Sequence, residues 1–410
     1  MSRAYNARPA SPRDVRLDFF RGLGMFIIFI AHVPSNTWNQ WIPARFGFSD
    51  ATEIFVFCSG MASSIAFASV FDKQGFGMGC ARIAHRCWQV YWAHIGLFFA
   101  GAALLCAADI WLHMGPTNVN SLNLGRFINS ETAAALTGLF TLTYVPNLFD
   151  ILPMYLVILL LVPAVMALSR FGAVWPLVFC AGLWLVATLG YLQFPGEPWS
   201  DRRWFFHPLA WQLVFFTGFA FVRGWIPAPP VDRRLIWLSV AVLVVSVIYA
   251  LPSLRGLLPE PLSSIPRVLT SKTKFGVLRF VHFLALAYLA YVAAGPVGRR
   301  LSGAFVDMCC RVGQQALAVF IAGILLALAS GIFLRSVGYS WYALAFVNIT
   351  GMLLLIVVAY VVAWFKRSPW KPHIRQGVHQ QHELRAQSLT DVSTVTEKKP
   401  QPALGHAGTK

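Results

Sequence analysis

The chain has 410 residues, of which 57% are hydrophobic and only 12% charged. Soluble domains are about half apolar and about a quarter charged, so a water-soluble globule is excluded, and apolar runs of roughly 17 to 25 residues point to a bilayer. The formal charge of +17 does not imply nucleic acid as a partner, because no basic patch interleaves with aromatics in a soluble domain.

In chain order, residues 1–12 form a basic leader of disordered composition. "SPRD" reads as a helix start, with Ser11 as cap, Pro12 in the first turn and Asp14 closing a capping box. Ten apolar runs follow: Leu17–Val33, Ala51–Phe71, Trp88–Ala108, Ile151–Leu168, Val174–Gln193, Pro208–Trp225, Leu235–Leu251, Phe275–Gly295, Leu317–Leu334 and Ala343–Phe365. They predict an all-α, polytopic membrane domain over residues 13–368 with about ten spans. The first run lacks a small-residue cleavage site, so it reads as a retained helix. Residues 369–410 turn polar and read as a disordered cytoplasmic tail.

Most of the 33 Lys and Arg residues fall in the termini and alternate loops, which puts both termini in the cytoplasm. An eleventh span at "ETAAALTGLFTLTYV" would invert that bias, so this stretch reads as a short outside or re-entrant helix. The seven cysteines form no CxxC pair and predict no disulfide framework. No metal and no resident cofactor are expected.

Ionisable residues inside a span are costly and therefore functional candidates. Arg21 and His32 lie eleven residues apart, about 20° past three full helical turns and roughly 16 Å along the axis. They make one polar stripe on an apolar helix. Snorkelling of Arg21, pairing with Asp18, or an interfacial His32 remain as plain structural readings.

Further polar groups gather near the level of His32. Asp50 and Glu53 open the second run; "D-A-T-E" is a capping box, which does not exclude a carboxylate beside the imidazole. Asn147 and Asp150 precede the fourth run, His207 and Gln212 open the sixth, and Lys272, Lys274, Arg279 and His282 open the eighth. Each is equally a cap or an interfacial residue. Trp38, Trp41, Trp199, Trp204 and Trp211 read as an interface belt or as stacking platforms for sugars.

"RDVRLDFFRGLGMFIIFIAH", "FGFSDATEIFVFCSGM", "YVPNLFDILPMYLVILL", "HPLAWQLVFFTGF" and "KFGVLRFVHFLALAYLA" together closely resemble the OpgC family over residues 13 to 365. That family comprises bacterial inner-membrane proteins that succinylate osmoregulated periplasmic glucans. The arginine, ten residues and histidine are also similar to the signature of the wider membrane acyltransferase superfamily, which implies His32 as catalytic base.

The resemblance implies cytoplasmic succinyl-CoA as donor and a periplasmic glucan hydroxyl as acceptor, with glucan-synthesis enzymes as potential partners. On this reading CoA phosphates dock on Arg21, with Arg16, Arg82, Arg86 or Arg311. Its pantetheine arm rises through a cavity to His32, which Asp50 or Glu53 orients. Arg279 or Lys274 pairs with the succinyl carboxylate, and Asn147, Asp150, His207 and His282 complete the acceptor site. Three alternatives stay open: an O-acetyltransferase acting on another surface polysaccharide, a transporter or flippase, and an inactive scaffold. A transporter would favour helices broken at mid-membrane, whereas these polar groups gather at the ends.

Overall fold

The structure, a computed structural model, describes residues 14–113, 117–260 and 262–370. The leader, with Ser11 and Pro12, and the tail from residue 371 lie outside the described residues. The chain is helical, with no strand among the described residues; an isolated antiparallel bridge joins Pro195 and Arg203.

The principal helices are α1 (Val15–His32), α2 (Ala51–Ser63), α3 (Phe76–Trp111), α4 (Thr132–Thr141), α5 (Ile151–Leu168) and α6 (Val174–Leu189). They continue with α7 (Pro208–Arg223), α8 (Arg233–Ala250), α9 (Val277–Ala294), α10 (Ala304–Gln314), α11 (Ala316–Val337) and α12 (Trp341–Lys366). By its contacts the chain divides into a body ending at Ala363 and a second unit from Trp364 onward. Within that second unit the rings of Trp364, Phe365 and Trp370 touch one another.

Seven helical stretches among the described residues are long and apolar enough to cross a membrane: Ala51–Gln74, Phe76–Trp111, Ile151–Phe171, Arg233–Ala250, Val277–Ala294, Ala316–Val337 and Trp341–Lys366. The chain is thus a multi-pass membrane protein. The other three expected spans are all helices, but of different character. α1 carries Arg16, Asp18 and Arg21 within its 18 residues. α6 and α7 have 16 residues each, about 24 Å at 1.5 Å per residue.

Three sequence readings need correction or refinement. Asp14 does not close a capping box; it is itself the N-cap of α1, accepting from the Arg16 backbone N–H at 3.0 Å. The third helix starts at Phe76 rather than Trp88 and has 36 residues, far more than the roughly 20 needed to span. Arg82 and Arg86 therefore ride on a helix and not in a loop. The "ETAAALTGLFTLTYV" stretch does form a short helix, the ten residues of α4.

In lipid, apolar side chains gain nothing by leaving one greasy medium for another, so helices associate through close packing and small residues. Two glycine contacts show this. A Cβ on Gly22 of α1 would collide with the Cys309 carbonyl of α10, and one on Gly313 with the Asp18 carbonyl. A Cβ on Gly60 of α2 would likewise meet the Phe215 carbonyl of α7, and one on Gly218 the Phe57 carbonyl. α7 is the central element: Trp211, Phe215 and Phe219 are wholly buried. α8, by contrast, buries only Ser239 and Ser246 and turns Trp237, Leu238 and Val244 outward.

Gly22→Leu should remove the α1–α10 contact and cost about 1–3 kcal/mol or more. Gly24→Ala should be tolerated, since the nearest atom to its Cβ is 3.7 Å away. Thermal unfolding of the two variants in detergent checks the contrast; equal melting temperatures would refute it.

Candidate active site

A cavity of about 570 Å³ opens among α1, α2, α5 and the loops that join them, and His32, Asp50, Asn147, Asp150 and Lys272 all line it. A second cavity of about 270 Å³ is lined by Arg21, Arg82, His85, Arg86 and Gln89. Four of the expected acceptor-side residues and three of the expected donor-side arginines thus fall into two chambers. Phe320 of α11 lines both.

His32 is the last residue of α1. Its Nδ1 lies 2.6 Å from the Ile28 carbonyl oxygen, one turn back on the same helix. A carbonyl can only accept, so Nδ1 carries the proton and Nε2 keeps its lone pair. That is the tautomer a general base needs, and the helix backbone sets it. The expectation that Asp50 or Glu53 orients the ring is not what the geometry gives, because both carboxylates are engaged elsewhere.

Asp50 is the N-cap of α2 and accepts from the Thr52 backbone N–H at 2.7 Å, while Glu53 accepts from the Asp50 N–H at 2.8 Å. The capping box is therefore formed. Glu53, 0% exposed, also accepts from Arg279 Nε at 2.6 Å. Asp50 accepts from Lys272 Nζ at 2.6 Å and from Arg279 at 3.5 Å. Burial alone would raise the Asp50 carboxyl, but the Lys272 and Arg279 charges outweigh it and hold the group well below the usual carboxylate range. Asp50 and Lys272 face the cavity; Glu53 and Arg279 form the ion pair behind them.

Asp150 sits at the start of α5 without a side-chain cap bond. Burial pushes its carboxyl up to about 6, against the pull of its own backbone N–H and of the Lys272 and Arg202 charges. Asn147, three residues earlier, is exposed to the same cavity.

Other expected site residues have structural partners and line neither cavity. His282 Nδ1 accepts from the Ser49 backbone N–H at 3.2 Å and from its hydroxyl at 2.7 Å, pinning the segment that leads into α2. His207 donates from Nε2 to the Leu192 carbonyl at 2.5 Å, and Lys274 donates to the Thr188 carbonyl at 3.2 Å. Arg16 pairs with Asp14 at 2.6 Å and stands over the Tyr291 ring, and Arg311 stands over Tyr360.

Arg21 has two aspects. It lines the second cavity, and its Nε donates to the Gly313 carbonyl at 2.8 Å, where α10 ends. Lys272, and not the expected Lys274, is the lysine that lines the first cavity. Its ammonium also stands 5.5 Å from the Phe206 ring centroid.

Arg279→Met would leave Glu53 buried beside Asp50 without its counter-charge, and should cost about 3–5 kcal/mol. Adding Glu53→Gln should recover part of that loss. Melting temperatures of the single and double variants check the coupling; additive losses would show that the pair does not act as a unit.

No curated protein and no solved structure matches the chain significantly. Residues 13–367 match the family model described as OpgC protein, and on that coverage the chain belongs to the OpgC family.

Proposed function

We propose that the protein is a membrane acyltransferase that moves a succinyl group from succinyl-CoA, held on the cytoplasmic side, to a hydroxyl of a periplasmic glucan. Family membership supports acyl transfer to such glucans. The observation that carries the mechanism is the Nδ1–H of His32 tied to the Ile28 carbonyl in a cavity that Asp50, Asp150 and Lys272 also line.

In the reaction His32 Nε2 takes the proton of a glucan hydroxyl as its oxygen attacks the thioester carbonyl carbon. The new C–O bond forms, the C–S bond breaks, and the imidazolium returns its proton to the departing thiolate. Position at the C-terminal end of α1 favours that imidazolium, because the helix dipole is negative there. Arg82, Arg86 and Arg21, with His85 nearby, suit the anionic phosphates of the donor. Lys272, which also pairs with Asp50, would meet the free succinyl carboxylate, and Asn147 and Asp150 would hydrogen-bond glucosyl hydroxyls; their lining of the His32 cavity supports this reading. The proposed setting is the bacterial inner membrane, with the His32 cavity facing the periplasm.

His32→Ala should lower acyl transfer at least about 10²-fold, the scale of general-base catalysis, while the protein still inserts and unfolds at an unchanged temperature. Mass spectrometry of periplasmic glucan reads the loss of succinyl mass; glucan succinylated as in the wild type would sink the assignment. Arg82→Glu with Arg86→Glu should raise the donor KM and spare the acceptor KM. Asp150 is ionised only above about pH 6, so the acceptor KM should rise as pH falls through that value. Asp150→Asn should be flat over the same range; a matching pH dependence in that variant would remove Asp150 from the acceptor site.

A further inference from the structure

The two cavities abut along three helices. On α2, Thr52 lines the first and Phe55, one turn on, the second. On α5, Ile151 and Leu152 divide in the same way, and on α11 Phe320 belongs to both. At this waist the rings of Phe55 and Phe320 stack in parallel, with centroids 6.0 Å apart and planes at 16°. Phe320 is 3% exposed, so its ring is packed at the junction and not free in either cavity.

The geometry points to Phe320, backed by Phe55, as a movable partition between an acceptor chamber and a donor chamber. Neither ring has a polar atom to anchor it. A side-chain rotation of Phe320 away from Phe55 would open the waist between the two chambers. Closed, the stack keeps water in the His32 chamber away from a thioester waiting among the arginines. Open, it passes a slender acyl-bearing arm and no bulk solvent. Phe320 is thus a positioning residue that couples thioester cleavage to the presence of an acceptor. The coupling role rests on the acyltransferase reading; the partition itself rests on geometry alone.

Two measurements test it separately. In intact cells, a membrane-impermeant maleimide is added on the side from which Asn147→Cys is labelled. Ser59→Cys, in the arginine chamber, should stay unlabelled from that side with Phe320 present, beyond the parent's own background. With Phe320→Ala it should label at least about ten-fold faster, and Phe320→Leu should fall between. Labelling of Ser59→Cys at the Asn147→Cys rate with Phe320 intact would overturn the partition, as would no response to either Phe320→Ala or Phe55→Ala. Asn147→Cys labelling in each variant confirms that the reagent reaches that face, and continued protection of the buried Cys180 confirms that the protein is folded.

The second measurement follows thiol release from succinyl-CoA by purified protein without glucan. Water then attacks the thioester carbonyl, giving succinate and free CoA thiol. Wild type should be slow, and Phe320→Ala several-fold faster with transfer to glucan reduced. Unchanged hydrolysis in a variant that still transfers would overturn the coupling role. A wild type that transfers nothing would instead defeat the acyltransferase reading and leave the labelling result standing.

Discussion

A guanidinium buried beside two carboxylates, where α9 meets the start of α2, is the interaction on which the site depends. Arg279 on α9 holds Glu53 at 2.6 Å and reaches Asp50, and both carboxylates belong to the capping box of α2. In a low-dielectric interior such a group survives only if every charge is answered. Arg279, Lys272, Asp50 and Glu53 answer one another, two cations against two anions. The start of α2 is thereby fixed to α9 and to the loop carrying Lys272. The wall of the His32 cavity inherits that rigidity.

The same arrangement explains why His32 is not part of a carboxylate–imidazole pair. With Asp50 committed to Lys272 and Glu53 to Arg279, the ring takes its orientation from the Ile28 carbonyl of its own helix. A base held by backbone stays neutral until it accepts a proton, whereas a base leaning on a free carboxylate is more easily charged beforehand. The tautomer and the dipole of α1 then act together: the proton sits on Nδ1 at rest, and charge that develops at Nε2 lies at the favourable end of the helix.

Much of this was readable along the chain because helical spacing is a local property. The D-A-T-E box depends only on residues at the cap and first turn of one helix, and the structure forms it as the spacing suggests. Readings failed where the outcome turned on partners far away in sequence. Lys274 is the lysine expected at the site, yet it meets the Thr188 carbonyl, more than eighty residues back along the chain, while Lys272 meets Asp50. His282 and His207 look like site histidines until their bonds to Ser49 and Leu192 appear. Phe320 gave no signal, since one phenylalanine in an apolar run resembles any other. The ten apolar runs all became helices, but apolarity alone did not tell that α7 would be short, central and buried over most of its length.

Arg21 illustrates how structure and chemistry can share one side chain. Its Nε holds the Gly313 carbonyl at the end of α10, two residues before the break at Gln315 from which α11 runs on to Phe320. Gly22 and Gly313 bring the two backbones close enough for that bond. Loss of Arg21 would therefore disturb the helix break beneath the aromatic stack as well as remove a cation from the arginine chamber. A defect in such a variant would not by itself speak for donor binding. Arg86 is different, its described side-chain hydrogen bond going to Gln89 on its own helix, and Arg82 is exposed on the same helix. Charge at that chamber can be varied through α3 with the α1–α10 junction untouched, which is why electrostatic recognition and helix packing are separable here despite meeting at one arginine.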